Sequence, residues 1–168
     1  MENPIVLIET NEGDIFVELY PEVAPLSVAN FLQYVDESYY DETVFHRIER
    51  GFVIQGGGYN RRYERKTPHS PIKNEATNGL SNELGTIAMA REEAKDSATD
   101  QFFINAADNS ELDHEDDSDV GYGYAVFGRV IDGQKIVKKI NWKIIDGDDE
   151  FPKKPKDTIV ILSISRFE

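Results

Sequence analysis

One stretch of this chain decides its fold, and it reads Phe45-His46-Arg47-Ile48-Glu49-Arg50-Gly51-Phe52-Val53-Ile54-Gln55-Gly56-Gly57-Gly58. Two short apolar runs are separated by a turn at Gly51 and closed by three glycines, a pattern typical of adjacent β-strands. Arg47 and Gln55 can form directional hydrogen bonds, whereas Phe52 and Val53 offer apolar contact. A site that holds a small apolar ring and acts on the amide beside it needs both kinds of group.

Three more blocks follow this stretch along the chain, namely Gly85 to Arg91, Asp100 to Ile104 and Ala125 to Val130. In their order and spacing the four blocks resemble the signature of the cyclophilins, the cyclophilin-type peptidyl-prolyl isomerases. The resemblance covers most of the chain. It implies a mainly β fold: a closed barrel of eight antiparallel strands, capped by two α-helices, with the active site on an outer face. Residues 1–168 would form a single domain of this kind, as their number also suggests.

The pattern of apolar residues predicts the same class of elements without that resemblance. Strands are predicted over Ile5 to Thr10 and Ile15 to Tyr20, and a closing strand over Thr158 to Ile164. A stripe of apolar residues predicts a first helix that ends near Asp36, and Asp132-Gly133 opens a second helix. Many short strands with two isolated helices indicate a helix-capped barrel, but periodicity alone does not tell a barrel from a sandwich.

The composition of the chain limits the classes of partner that it is expected to bind. The net charge of −14 disfavours electrostatic binding to nucleic acid or to an anionic membrane. Arg61, Arg62, Arg65 and Lys66 interleave with tyrosines, but in so acidic a chain we interpret them as a solvated loop. No apolar run is long enough to span a membrane, and no signal peptide is visible at Met1. The chain has no cysteine, which excludes disulfides and thiolate metal sites and fits the cytoplasmic protein that we expect. We also expect it to act as a monomer.

The resemblance also implies which residues form the active site. Arg47 corresponds to the family's catalytic arginine, and Gln55 to a polar residue that orients it. The residues expected to bind the substrate are Phe52, Val53, Ala90, Arg91, Gln101, Phe103, Leu112, Tyr124 and Phe127. For Ala90 and Arg91 only a main-chain role carries over, and Phe127 fits either the floor of the proline pocket or the core. His46 is expected to have a structural hydrogen-bonding role.

Four positions depart from the pattern common in the family. Val53 stands where methionine is common, and Arg91 where asparagine is frequent. Glu111 replaces an aromatic residue that helps members to bind cyclosporin, and Trp142 lies too far along the chain to substitute for it. We therefore predict weak cyclosporin binding. Tyr124 stands where animal members carry histidine and resembles bacterial members, which favours a bacterial cytoplasmic enzyme.

Other signatures are incomplete. Asp113, Glu115 and Asp117 suggest a calcium loop, but Ser118 and Tyr124 stand where the loop needs glycine and a bidentate glutamate. The three glycines after Gln55 form neither a phosphate loop nor a dinucleotide fingerprint. We accordingly predict no metal and no cofactor. The acidic segments 108–119 and 146–150 remain open as docking sites for a basic partner.

The reaction that the resemblance implies is rotation about X-Pro peptide bonds in unfolded or folded client proteins, which assists folding. Its barrier of about 18–20 kcal/mol comes from amide resonance, so the reaction requires no nucleophile, metal or acid–base pair. A binding module for proline-containing peptides, without catalysis, is the alternative. The presence of Arg47 favours the enzyme, because a pure binder has no need of it.

Overall fold

A single antiparallel sheet of nine strands organises the chain in the computed structural model, which describes residues 2–168. The first strands and the first helix are β1 (Ile5–Thr10), β2 (Gly13–Leu19), α1 (Pro25–Asp36), β3 (Thr43–Val44), β4 (Arg47–Glu49) and β5 (Val53–Gly56). The remaining elements are β6 (Thr86–Met89), β7 (Phe102–Asn105), a short 3₁₀ helix (Ser110–Leu112), β8 (Val126–Asp132), α2 (Gln134–Asn141) and β9 (Val160–Phe167).

The mainly β architecture with two helices confirms the prediction, but the expected closed barrel of eight strands is wrong in detail. The strand order is β3-β9-β1-β2-β8-β6-β7-β5-β4, with β3 and β4 at the two edges. No ladder joins these edges within residues 2–168, and only Phe45 and His46 separate them along the chain. The sheet therefore curls so that its two edge strands come together, and the two residues Phe45 and His46 connect them. A two-residue strand such as β3 leaves no periodic signal, which is why the sequence did not reveal it.

The concave face of the sheet carries the core. Ile48, Ile54, Ile104 and Ile87 are successive register partners across β4, β5, β7 and β6, and each is at most 1 % exposed. Helix α1 covers this face with Phe31, whose ring packs against Phe102 and Phe127. Because side chains alternate along a strand, the neighbours of these isoleucines must point to the outer face.

Helix α1 begins and ends where the sequence predicts. Pro25 occupies its first turn, where the missing N–H costs nothing. A distant carboxylate caps the helix: Glu75 accepts hydrogen bonds from the backbone N–H groups of Leu26 and Ser27, at 3.1 and 2.7 Å. The cap fastens the long loop that contains Glu75 to the helix. In residues 2–168 no helix is both long enough and apolar enough to cross a membrane.

The basic segment between β5 and β6 is less solvated than its composition indicates. Arg65 donates two hydrogen bonds to the fully buried carboxylate of Asp100, at 2.6 and 2.9 Å, and Tyr39 donates a third at 2.6 Å. A buried carboxylate requires such partners. Arg61 instead pairs with Glu42 at the surface. The ion pair of Arg65 and Asp100 fixes the chain immediately before Gln101.

Candidate active site

Strand register places a row of predicted site residues on the outer face. Arg47 pairs with Gln55 across β4 and β5, Gln55 pairs with Phe103 across β5 and β7, and Phe103 pairs with Ala88, which pairs with Val126. Side chains directly opposite in antiparallel strands lie about 4.5–5.5 Å apart. The row therefore runs from a cation through an amide to an aromatic ring and a small apolar floor.

The polar end of this row is a connected set of hydrogen bonds. Arg47 Nη1 donates to Gln55 Oε1 at 3.2 Å, and Gln55 Nε2 donates to Gln101 Oε1 at 3.0 Å. Arg47 Nη2 also forms an ion pair with Glu49. A Cβ atom at Gly58 would lie 2.6 Å from the side chain of Gln101, so glycine there gives Gln101 its room. These contacts hold the guanidinium on the outer face with 38 % of its side chain exposed.

The apolar end is a separate small cluster outside the main core. Its buried part consists of Val53, Ala88, Ala90, Phe103 and Val126, and the residues that pack around it are Phe52, Leu80, Leu112 and Tyr124.

A cavity of about 450 Å³ opens beside this cluster near Leu80 and Val126. A second cavity of about 410 Å³ holds the predicted site, and its lining residues are Arg47, Phe52, Val53, Gln55, Ala90, Arg91, Phe103, Leu112 and Tyr124. Two arginines thus line the same cavity as three aromatic rings and a leucine.

An arginine closes one side of this cavity. Arg91 donates hydrogen bonds to four main-chain carbonyls: those of Gly123, Asp119, Glu92 and Glu93, at 2.9, 2.7, 3.0 and 3.1 Å. Its guanidinium also lies 4.8 Å from the ring centre of Tyr124, which in turn packs edge-on against Phe103. Arg91 therefore ties two loops together and sets the position of the tyrosine. The sequence suggested only a main-chain role for this residue.

Two of the predicted substrate-binding residues lie elsewhere. Gln101 lines an adjoining cavity of about 220 Å³, which shares Gln55, Ala90 and Arg91 with the first. Phe127 is fully buried in the main core beside Phe31, which favours the core over the pocket floor, the two alternatives that the sequence left open. Val126 belongs to the outer cluster and Phe127 to the main core, at the point where the register between β6 and β8 shifts.

His46 is held in a neutral state. Its ring packs 4.6 Å from that of Tyr59, and its Nδ1 has no hydrogen-bond partner within residues 2–168. Burial, reinforced by repulsion from Arg47 and Arg65, lowers the pKa of His46 to about 4. A histidine with so low a pKa is uncharged near neutral pH and keeps a proton on only one of its two ring nitrogens. The expected hydrogen-bonding role is not evident at Nδ1.

Sequence reasoning missed several residues that support the site. Glu49 follows Arg47 by two positions, so strand periodicity alone places the two on one face. Asn109 donates hydrogen bonds to the carbonyl of Phe52 and to Asn105, at 2.9 and 2.8 Å. Asn141 binds the turn between β4 and β5 from helix α2. Phe52 lies 57 residues from Asn109, and Glu49 lies 92 residues from Asn141, so no local signal predicts these contacts.

Asp113 is one of the anchors of the acidic segment after β7. Asp113 accepts hydrogen bonds from Ser81 and from the backbone N–H of Asn82. This fixes the 3₁₀ helix that places Leu112 in the cavity wall, while Glu111 beside it is exposed. Trp142 lies at the end of helix α2 and lines a different cavity.

Solved structures with this fold are cyclophilins. A cyclophilin-type peptidyl-prolyl cis-trans isomerase of Cryptosporidium parvum superimposes with a TM-score of 0.80 at 27 % identity, covering 99 % of this chain and 98 % of that one. The same protein in the presence of the dipeptide Ala-Pro gives a TM-score of 0.79 at 28 % identity, with 98 % and 99 % covered. The fold and the cavity that holds the predicted site thus define an isomerase of the cyclophilin class.

Sequence comparison gives the family directly. The family model described as cyclophilin type peptidyl-prolyl cis-trans isomerase/CLD matches residues 5–166. Peptidyl-prolyl cis-trans isomerase B of Escherichia coli is 44 % identical over 161 residues, covering 96 % of this chain and 98 % of that protein. Peptidyl-prolyl cis-trans isomerase A of Dickeya dadantii is 46 % identical over 158 residues, with 94 % and 82 % covered. The chain belongs to the cyclophilin-type peptidyl-prolyl cis-trans isomerases and is an enzyme.

Proposed function

We propose that this enzyme rotates X-Pro peptide bonds by stabilising the twisted amide with Arg47 while an apolar pocket holds the proline ring. One observation supports this most directly: the guanidinium of Arg47 and the rings of Phe52 and Phe103 line the same cavity of about 410 Å³. A catalyst of this reaction must favour the twisted amide over both planar forms.

In the twisted amide the prolyl nitrogen becomes pyramidal, and its lone pair accepts a hydrogen bond. Arginine suits the task because it stays protonated and presents a rigid fork of donors. Gln55 and Glu49 hold this fork from two sides. By analogy with oxyanion donors, one such donor contributes about 3–4 kcal/mol, or 10²–10³-fold in rate.

The proposed proline pocket consists of Phe52, Val53, Phe103 and Leu112, with Tyr124 at its edge. Val53 is 1 % exposed and Phe103 is 4 % exposed, so both present a fixed surface. Valine is shorter than the methionine that is common at this position in the family, so Val53 fills less of the pocket. Ala90 and Arg91 lie on the rim, where the main chain of the substrate would pass.

The substrates that we propose are proline-containing segments of unfolded or folded client proteins, bound by a cytoplasmic monomer that requires no cofactor. The Cryptosporidium protein has a structure determined in the presence of the dipeptide Ala-Pro, which supports this class of substrate. The net charge of −14 agrees with the proposal that nucleic acid is not a partner.

Substitution of Arg47 by alanine tests the proposal. We expect exchange NMR on a short Ala-Pro peptide to show a loss of at least about tenfold in isomerisation rate, with peptide binding retained. Arg61→Ala is the matched control, because it removes an exposed arginine of a surface ion pair. Unchanged turnover in Arg47→Ala would rule out the role of this arginine, and peptide binding without turnover in the native protein would favour a pure binding module.

A further inference from the structure

A large cavity lies outside the active site, between helix α2 and the start of β6. Its volume is about 520 Å³, within the range of about 300–1,000 Å³ that is usual for ligand pockets. We call it the α2 groove. Its lining residues are Gly51, Leu84, Gly85, Asn105, Ala106, Arg129, Val130, Gln134, Val137, Lys138, Asn141 and Trp142.

The α2 groove has an apolar floor and apolar rims. Val130 and Val137 are nearly buried, at 4 and 5 % exposure, whereas Leu84 and Trp142 remain 59 and 58 % exposed. Leu84 and Trp142 line the same cavity, so their exposed apolar surfaces are close enough together to form part of one interaction site. An apolar side chain that enters the cavity would contact both.

Two glycines that border open space line the groove. A Cβ atom added at Gly51 or at Gly85 would have no neighbour within 4 Å. Both glycines have positive φ angles, 71° and 88°, so few other residues fit there without strain. A glycine beside open space allows the backbone of a ligand to approach closely.

The charge of the groove is opposite to that of the rest of the protein. From Gly133 to Ile145 the chain contains four lysines and no acidic residue, although the whole chain has a net charge of −14. Lys139 and Lys143 pair with Glu12. Lys138 lines the groove, and no carboxylate within residues 2–168 forms an ion pair with it.

A second cation, Arg50, lies beside Trp142 of the groove. The guanidinium of Arg50 lies 4.7 Å from the ring centre of Trp142 and donates to the carbonyl of the same residue. Glu83, next to Leu84 in sequence, pairs with Arg129, and Asp108 accepts a hydrogen bond from the N–H of Leu84. Within residues 2–168 neither carboxylate forms an ion pair with Lys138 or Arg50. Lys138 and Arg50 therefore remain to attract an anion.

We propose that the α2 groove binds a short acidic peptide segment of a partner protein, with one large apolar side chain inserted between Leu84 and Trp142 and its carboxylates beside Lys138 and Arg50. Charge complementarity selects this occupant. A concave site suits an inserted side chain better than a bilayer does, and an extended anionic surface would meet the acidic remainder of the protein. This site is separate from the proposed proline pocket and does not depend on isomerase activity.

The single tryptophan of the chain, Trp142, is a built-in reporter of binding. The probe is a proline-free peptide, acetyl-Glu-Asp-Leu-Phe-Asp-Glu-amide, titrated into the full chain while tryptophan emission is recorded. We expect a saturable blue shift, because insertion of the apolar side chain removes water from the indole. The same peptide with lysine in place of every acidic residue should give no saturable change, and added salt should weaken the response to the acidic peptide.

Three variants assign the response to the groove. Lys138→Glu and Leu84→Ser should each weaken binding of the acidic peptide by at least about fivefold. Lys73→Glu makes the same change in net charge as Lys138→Glu, at an exposed site outside the groove. It should change the affinity for the peptide by less than about twofold. Isomerisation of an Ala-Pro peptide should stay unchanged in all three, so failure of the groove is distinct from failure of the active site.

The proposal is overturned by any of three results: no saturable shift with the acidic peptide, equal binding of the lysine peptide, or equal weakening by Lys138→Glu and Lys73→Glu. Anionic phospholipid vesicles provide a separate arm. A shift with vesicles but not with the peptide would assign the groove to a membrane surface and would also reject the acidic-peptide proposal.

Discussion

Gln55 lies directly opposite Arg47 in the ladder between β4 and β5, and its side-chain oxygen accepts a hydrogen bond of 3.2 Å from the guanidinium. The amide nitrogen of the same side chain donates to Gln101. Both ends of one amide are thus engaged, which fixes its orientation and that of the arginine. Positioning of this kind matters in catalysis, since a donor must be in place before the transition state forms.

Gln55→Leu should therefore lower the isomerisation rate by about tenfold, since one orienting hydrogen bond of about 1–1.5 kcal/mol is lost. Exchange NMR on an Ala-Pro peptide measures the rate. Gln55→Glu is the informative companion, because it keeps an acceptor for Arg47 but no donor for Gln101. Equal rates in Gln55→Leu and the native enzyme would show that the arginine is positioned without this contact.

Arg91 should affect binding more than turnover. Its guanidinium joins the segment at Glu92 and Glu93 to the segment before Tyr124. Arg91→Ala removes this link, so we expect KM for an Ala-Pro peptide to rise by about threefold to tenfold while kcat changes little. Hydrogen exchange of the amides around Tyr124 should speed up. Arg91→Lys should restore the charge over the ring but not the four carbonyl contacts. A fall in kcat at constant KM would contradict this assignment.

Asn141 couples helix α2 to the turn that precedes Phe52. Its amide donates to the carbonyls of Glu49 and Val53, at 2.8 and 3.2 Å, and accepts from the N–H of Gly51 at 2.8 Å. Since Asn141 is 2 % exposed, Asn141→Ala should lower the free energy of unfolding by about 1–3 kcal/mol.

Urea denaturation measures this loss. Asn11→Ala is the control, because that side chain also bridges two distant main-chain groups but at an exposed position. It should cost less than about 1 kcal/mol. Equal losses in the two variants would show that burial of Asn141 adds nothing.

Much of this architecture follows from local pattern. The end of α1 at Asp36 and the first strand over Ile5–Thr10 are as predicted, because apolar periodicity and proline act on neighbouring residues. The division of Val44 to Ile48 into two edge strands was missed, since it depends on pairing with β9 and β5. Alternation shows that Val126 and Phe127 point to opposite faces, but only the folded sheet shows which of the two is outside. Asn141 gave no signal, because its partners lie about 90 residues away.

Glu111 offers a test of how the cavity of the proposed active site differs from that of other cyclophilins. It is exposed on the 3₁₀ helix, next to Leu112 in the cavity wall. An aromatic residue at this position would extend the apolar wall, so Glu111→Trp should tighten cyclosporin binding by at least about tenfold relative to the weak binding that we expect of the native protein. Isothermal titration calorimetry on both proteins gives the comparison. Sub-micromolar affinity of the native protein would refute the expectation.

His46 should make stability depend on pH. The fold lowers its pKa from 6.5 to about 4, chiefly by burial. Above pH 6.5 the imidazole is neutral in both the folded and the unfolded chain, so its full contribution to stability is present. As the pH falls from 6.5 toward 4, the unfolded chain takes up a proton that the folded chain does not. Stability is therefore lost across this window, and no further loss arises from His46 below it.

The size of the effect follows from the shift. A difference of about 2.5 pKa units corresponds to about 3 kcal/mol. Urea denaturation at about pH 7.5 and about pH 4.5 should show that the native protein loses about 2–3 kcal/mol more than His46→Gln, in which the titrating group is absent. Carboxylates contribute equally to both proteins and cancel in the comparison. If the two proteins lose the same free energy over this range, His46 takes up its proton as readily in the folded chain as in the unfolded one, and its burial does not control its charge.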